Sequence, residues 1–377
     1  MRYPNRVLRA VIGILVFCVL SCGKETKIPV TSPSSNSTYA GPSITSGQVQ
    51  AGSQGASASS GKNSSKGQQS QGPYYDVTVP DPYGGDNAAY TGCCKTRNVI
   101  IIVMDGPRFR ETFGDYSKQF IPNQDRMYSR GVLLGSFYNM GTTNTDSGHD
   151  AICTGNYEDL ENTGQSLPQY PSIFQYFLKA SGKPAEKAWV VASKDKLAIL
   201  ANCQTAGWAG RYMPRTDCGV NGLFTGYRAD DTTFQHAKNV ISTYHPNLML
   251  VNFKDPDVFG HSNQWALYLG AIKKTDEYIK ALYDFIENDE IYKGKTTVII
   301  TNDHGRHLTG IADGFMNHGD DCDGCRHIEF LALGPDFKQG EGFDERYEQI
   351  DLSATVARLL HFKMDYGKGK VIDAIFR

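Results

Sequence analysis

The stretch Asn98-Val99-Ile100-Ile101-Ile102-Val103-Met104-Asp105-Gly106 decides the fold. Its apolar, largely β-branched run shows no polar alternation, which is the pattern of a strand buried on both faces. Such a strand belongs to a parallel sheet covered by helices, and ligands bind those sheets in the crevice at the carboxyl ends of the strands. Asp105 stands where a functional carboxylate is expected, although Asp also serves as an ordinary turn residue.

Toward the N-terminus, Arg2, Arg6 and Arg9 form a basic region ahead of an apolar core, Val11 to Leu20, too short to span a bilayer. Val19-Leu20-Ser21-Cys22 closes it and resembles the bacterial lipoprotein signal, in which the cysteine is lipidated and becomes the new N-terminus. Residues 1–21 are therefore expected to be a lipoprotein signal peptide, with a lipid anchor at Cys22. The chain is then expected in the bacterial cell envelope, facing the periplasm or the surface. Residues 22–72 are dominated by Ser, Gly, Gln, Thr and Asn and cannot bury enough surface to offset the entropy of ordering, so they read as a flexible tether. Residues 73–377, about 300 positions, suffice for one large α/β domain.

A formal net charge of −2 leaves no basic footprint for nucleic acid. Seven cysteines follow Cys22: Cys93, Cys94, Cys153, Cys203, Cys218, Cys322 and Cys325. In an oxidising envelope, Cys203 with Cys218 and Cys322 with Cys325 are candidate loop-closing disulfides, but spacing does not give connectivity. The other reading of Cys322-Asp323-Gly324-Cys325, half a zinc site, lacks a second Cys pair to complete a structural tetrad.

Beyond Asp105, a helix is expected over Ile121–Gly131 and a short strand over Val132–Tyr138. The polar loop Gly141-Thr142-Thr143-Asn144-Thr145-Asp146-Ser147-Gly148-His149 runs into a helix start at Asp150. A hydroxyl residue there would face free backbone N–H groups suited to an anion. A helix over Pro171–Ala180 precedes the strand Ala188–Ser193, which ends in Lys194-Asp195-Lys196, and about 197–230 reads as a small inserted cap region. The strand Leu248–Phe253 ends in Asp255-Pro256-Asp257-Val258-Phe259-Gly260-His261, and Thr297–Thr301 ends in Asn302-Asp303-His304-Gly305. Helices at Asp231–Tyr244, Asn263–Glu287 and Leu352–Leu360, with a last strand at Phe330–Leu333, complete the alternation. It predicts a three-layer α/β/α sandwich around a mostly parallel, doubly wound sheet.

Three strands thus end near Asp105, Asp257 and Asp303, two of them with a nearby histidine. Carboxylates and imidazoles gathered on one sheet edge are divalent-metal ligands, and two metals about 4 Å apart can clamp an in-line displacement at phosphorus.

In this order, and with a Thr loop between the first two Asp residues, the chain from Asn98 onward resembles the alkaline phosphatase superfamily of phosphatases, phosphodiesterases and phosphonate hydrolases. The motifs that carry the resemblance are Met104-Asp105-Gly106, Pro122-Asn123 to Gly131-Val132, Thr145 to His149 with Thr154-Gly155, Asp257 to His261, Asp303-His304-Gly305 and Phe330-Leu331-Ala332-Leu333-Gly334-Pro335. The resemblance implies two divalent metal ions, taken to be zinc. One would be held by Asp105, Thr145, Asp303 and His304, the other by Asp257, His261 and His318. His327 is the rival to His318, and Asp255 the rival to Asp257. It also implies Thr145 as nucleophile through a phosphothreonine intermediate, since threonine attacks poorly unless a nearby cation activates it. The Asn144 amide and the backbone N–H groups after Thr145 would cradle phosphoryl oxygens.

Some monoesterase and phosphonoacetate hydrolase branches carry two basic residues after the same strand. Lys194 and Lys196 match that feature, and they point to a small phosphate monoester as substrate, with diesterase, nucleotide pyrophosphatase or phosphonate hydrolase activity as alternatives. A sulfatase is disfavoured because no Cys/Ser-x-Pro-x-Arg motif begins at the nucleophile loop. A phosphosugar mutase would not meet its metabolites outside the cytoplasm, and a headgroup transferase would carry several membrane spans. The rival of another class, a binding lipoprotein that keeps only the fold, should have lost ligands.

Overall fold

The computed structural model of the chain describes residues 94–377. The expected signal, lipidated Cys22, tether and Cys93 all lie outside the described residues.

The elements, in chain order, are β1 (Asn98–Met104), α1 (Pro122–Tyr128), β2 (Val132–Leu134), β3 (Phe137–Tyr138), α2 (Thr145–Thr154) and α3 (Ile173–Ser181). There follow β4 (Ala188–Ala192), β5 (Arg215–Cys218), α4 (Asp230–Tyr244), β6 (Leu248–Phe253), α5 (Asp255–His261), α6 (Trp265–Asn288) and β7 (Thr296–Thr301). The chain ends with α7 (Asp323–Arg326), β8 (His327–Ile328), β9 (Phe330–Leu333), β10 (Glu341–Phe343), β11 (Tyr347–Glu348) and α8 (Asp351–Leu359).

Eight strands form one sheet in the order β10-β2-β9-β7-β1-β6-β4-β5. β1 pairs in parallel with both β6 and β7, and β4 pairs in parallel with β6 and β5, whereas β9 runs antiparallel to β2 and β7. The side-chain alternation of β1 divides the core in two. Val99, Ile101 and Val103 pack on one face with α2, α3 and α8 residues such as Ile152, Phe174 and Val356. Ile100, Ile102 and Met104 pack on the other with Ile241 of α4 and Ile272 and Ile279 of α6. Every side chain of the run is fully buried, each stabilising the fold by roughly 1.5–3 kcal/mol. This is the expected α/β/α sandwich.

Several local expectations give way. The helix expected from Asp150 begins five residues earlier, at Thr145. Asn144 caps it by accepting from the Ser147 N–H at 2.9 Å, and polar Asp146, Ser147, His149 and Asp150 are all buried, so no apolar stripe marks the first turn. The single strand expected over Val132–Tyr138 is two, because β2 belongs to the main sheet and β3 to a small sheet ordered β11-β3-β8. Segment 197–230 is not set apart as a cap, since β5 lies within it and adds the edge strand beside β4. The two candidate disulfides are absent: Cys203, Cys218, Cys322 and Cys325 are thiols, and the Cys218 Sγ donates to the Val190 carbonyl instead. Among the described residues, no helix is long and apolar enough to cross a membrane.

Candidate active site

Four adjacent parallel strands, β7, β1, β6 and β4, deliver their carboxyl ends to one edge. From them come Asp303, Asp105, Asp257 through the short helix α5, and Lys194. α2 presents Thr145 at its first residue to the same edge, with the helix N-terminus behind it. Gly106 lets β1 turn out of the sheet here: its φ is +70°, and a Cβ would come within 2.9 Å of Asp257 Oδ1.

Two ligand-like clusters lie side by side among the described residues. Asp105, His149 and Asp303 form one, and Asp257, His304 and His318 the other; in each, the potential ligand atoms lie within 4.8 Å of one another. His304 touches both, with its Nε2 3.4 Å from Asp303 Oδ2 and 3.8 Å from Asp105 Oδ1. His261 joins the second cluster, its Nε2 being 3.3 Å from Asp257 Oδ1 and 3.0 Å from His318 Nε2. The spacing of Asp257 and His261 works because α5 puts positions i and i+4 on one face.

The rival residues are elsewhere. Asp255 accepts from Lys254 and, with its backbone N–H, donates to Asp230. His327 is stacked between Phe109 and Tyr138, with Nε2 on the Gly135 carbonyl at 2.9 Å. His318 is the one beside Asp257, held by Nδ1 to the Thr143 carbonyl at 2.7 Å.

Lys194 lies at the centre. Its Nζ donates to Asp105 Oδ1 at 2.8 Å, Asp257 Oδ2 at 2.7 Å and Thr145 Oγ1 at 2.9 Å. The sequence reading aimed this lysine at the outer oxygens of a substrate, and the structure turns it inward instead. Buried carboxylates need a cation, and Lys194 supplies one to both Asp105 and Asp257. Lys196 is also engaged, its Nζ 2.5 Å from Asn162 Oδ1 and 3.3 Å from Asp146 Oδ1. Asn144 caps α2 with its side-chain oxygen, and its Nδ2 lies 3.5 Å from the Leu160 carbonyl. The Asp146 N–H is not free either, since it donates to Asn162 Oδ1 at 3.0 Å.

Three participants were not assigned roles from sequence. His149 sits one helical turn after Thr145, fully buried, with Nδ1 3.3 Å from Asp303 Oδ2. Asn252, a lone amide within the apolar β6, donates to Asp105 Oδ2 at 2.9 Å and lies 3.2 Å from His149 Nε2. Arg306, directly after Gly305, is fully buried and donates to Asp257 Oδ1 and to the Met316 carbonyl. A polar residue inside an apolar run was the available signal for Asn252.

The electrostatics follow from burial. Removal from water, with Asp303 close by, pushes Asp105 up to about 7 despite Lys194. Burial would also raise Asp257, but Lys194, His261, His318 and Arg306 hold it well below the usual carboxylate range. Burial opposes a charge on Lys194, yet Asp105, Asp257 and Asp303 keep its ammonium form favoured. Burial keeps His304 and His318 neutral, as metal-ligating imidazoles must be.

The donor set fits divalent cations. Asp303 Oδ2 and His304 Nε2 are buried without a hydrogen-bond partner, while Asp303 Oδ1 is satisfied by the Gly106 and His304 N–H groups. Orphaned buried acceptors are costly, and a cation between them removes that cost. Carboxylate oxygens and imidazole nitrogens are the ligands zinc accepts.

A family model described as type I phosphodiesterase/nucleotide pyrophosphatase matches residues 99–313. No curated protein sequence matches the chain. Solved structures with the same fold include an alkaline phosphatase superfamily protein from Vibrio parahaemolyticus, at 15% identity and TM-score 0.57, covering 74% of this chain and 70% of that one. The phosphonate monoester hydrolase of Silicibacter pomeroyi has 14% identity and TM-score 0.55 over 74% of this chain and 76% of that chain. Murine ectonucleotide pyrophosphatase/phosphodiesterase 5 has 14% identity and TM-score 0.56 over 74% of this chain and 100% of that chain, and an inactive variant of it is known in complex with AMP. With the family model spanning more than half the sequence, the chain belongs to the type I phosphodiesterase/nucleotide pyrophosphatase family and is a phosphoester hydrolase.

Proposed function

We propose that the chain hydrolyses phosphodiesters or pyrophosphates of small molecules, through Thr145 and a phosphothreonine intermediate. The observation that carries this is the position of Thr145 Oγ1, at a helix N-terminus and 2.9 Å from the buried ammonium of Lys194. In the first step Thr145 Oγ1 forms a bond to phosphorus while the P–O bond to the leaving group breaks. Water then attacks phosphorus and releases Thr145. Lys194 holds the Thr145 oxygen in place and favours its anionic form, and Asn252 and His149 fix Asp105 and Asp303 behind it. Two divalent metal ions, zinc by donor type, would be held by Asp105, Thr145, Asp303 and His304 and by Asp257, His261 and His318. When bound, they supply Lewis-acid stabilisation of charge at the attacking and leaving oxygens.

A monoester is the second reading, favoured by two lysines beside the nucleophile. Against it, both ammonium groups already have carboxylate or amide partners, which leaves neither free for the extra charge of a dianion. We further place the protein in the bacterial envelope, anchored through a lipid at Cys22 and a tether over 22–72, as the sequence pattern suggests.

Turnover of an aryl phosphate monoester, an aryl phosphodiester and a dinucleotide, each with and without zinc, tests the substrate class. Acid quenching during turnover should leave phosphate on the peptide that contains Thr145. A wild-type enzyme that prefers the monoester would overturn the diester reading, and an unlabelled Thr145 peptide would overturn the covalent step.

A further inference from the structure

Beyond the phosphoester site, a second kind of metal chemistry gathers on the loop that follows Asp303-His304. His307, Asp320, Cys322 and Cys325 place one ligand atom each within 4.8 Å of all the others. These residues come from two segments, the strand-end loop 303–307 and the turn into α7. The missing half of the Cys-x-x-Cys zinc reading is thus a histidine and an aspartate rather than another Cys pair.

We propose that these four residues form a structural zinc site, distinct from the phosphoester-cleaving centre. His307 is oriented as a metal ligand is. Its Nδ1 lies 2.7 Å from the Asp313 carboxylate, and its Nε2 is buried with no hydrogen-bond partner, 3.2 Å from Asp320 Oδ2. A carboxylate on one ring nitrogen fixes the tautomer and frees the other nitrogen to ligate. Zinc bonds of about 2.0–2.3 Å put the corners of a tetrahedron roughly 3.3–3.8 Å apart, which the observed spacing accommodates. Two sulfurs, one imidazole and one carboxylate favour zinc over magnesium or calcium, which take all-oxygen shells.

The site sits where a clamp is needed. The Gly305 N–H donates to the Cys325 carbonyl at 2.7 Å and the Arg306 N–H to the Gly324 carbonyl at 2.9 Å, so the Cys-x-x-Cys turn lies directly on the loop behind His304. The approach is close enough that a Cβ on Gly305 would come within 2.1 Å of the Gly324 oxygen. On its other side, the Asp320 carbonyl accepts from Thr143 Oγ1 at 2.6 Å, next to the bond that holds His318. An ion on His307, Asp320, Cys322 and Cys325 would tie together the two loops that carry His304 and His318. The zinc acts here through position, so the site stands whether or not the phosphoester reading of Thr145 holds.

The test is cobalt(II) loading of the full chain after metal removal. Thiolate ligation gives a strong sulfur-to-cobalt charge-transfer absorption in the near ultraviolet, which the oxygen and nitrogen donors of the phosphoester site do not produce. The band is expected in the parent and in Asp257→Asn, and expected to vanish in Cys322→Ser/Cys325→Ser with the loss of one zinc equivalent by elemental analysis. His307→Gln should weaken zinc retention without removing either sulfur. No charge-transfer band in the parent protein, which requires no variant to fold, would overturn the proposal. So would a Cys322–Cys325 disulfide in the protein as isolated.

Discussion

Lys194 Nζ donates to Thr145 Oγ1 over 2.9 Å, so the side chain expected to meet the far end of a substrate instead touches the atom expected to attack it. The same ammonium bridges Asp105 and Asp257, which come from different strands. Nucleophile and carboxylate cluster therefore share one buried cation.

Thr145→Ala should lower kcat/KM at least ~10³-fold, because attack and positioning fail together. Thr145→Ser should retain a measurable part of the rate. Steady-state kinetics with one aryl ester checks both, and an inactive Ser147→Ala beside an active Thr145→Ala would move the nucleophile.

Lys194→Met should destabilise the metal-free protein by about 3–5 kcal/mol, since it leaves buried carboxylates without their cation. Divalent metal should recover much of that loss by supplying positive charge at the same cluster. Melting of variant and parent, with chelator and with zinc, reads the difference. A gap that zinc leaves unchanged would mean that Lys194 supports the fold independently of the carboxylates.

Removal of divalent metal should abolish turnover, and zinc should restore it. Asp303 Oδ2 and His304 Nε2 are buried without a hydrogen-bond partner, and a cation between them would satisfy both. Full activity after exhaustive chelation, confirmed by elemental analysis, would refute the metal-dependent reading.

Glu329 gives a pH prediction remote from the metal question. Burial pushes this fully buried carboxyl, neither of whose oxygens has a hydrogen-bond partner, from 4.5 up to about 8. Between those two values the folded chain keeps a proton that the unfolded chain has released, so stability falls as pH rises through the window. Glu329→Gln should flatten that fall, matching the parent near pH 4 and exceeding it by roughly a few kcal/mol near pH 9. Denaturant melts across the pH range measure this, and parallel curves for the two proteins would contradict it.

The order of elements and the layering were legible in the sequence because burial of long apolar strands writes itself into composition. Val99 to Met104 lie at the sheet centre, and apolar residues on both faces of the run suffice to fix that. Asp105, Asp257 and Asp303 were legible for a related reason: parallel strands share one carboxyl edge, so residues that follow them must converge. The i, i+4 pair Asp257 and His261 carried its own geometry.

What only the tertiary structure decided were contacts that depend on where a side chain turns. His318 and His327 are both histidines near the last central strand, but β8 pairs His327 with Tyr138 and stacks it on Phe109, while the Thr143 carbonyl turns His318 to Asp257. Lys194 points inward because three desolvated carboxylates outweigh its exposure to solvent. Asn144 spends its side-chain oxygen on the helix cap, and His307 meets Cys322 and Cys325 only because two loops fold onto each other. A sequence states which groups are available and in what order. Which of them share a cation is set by burial, where the cost of leaving a charge unpaired selects the partner.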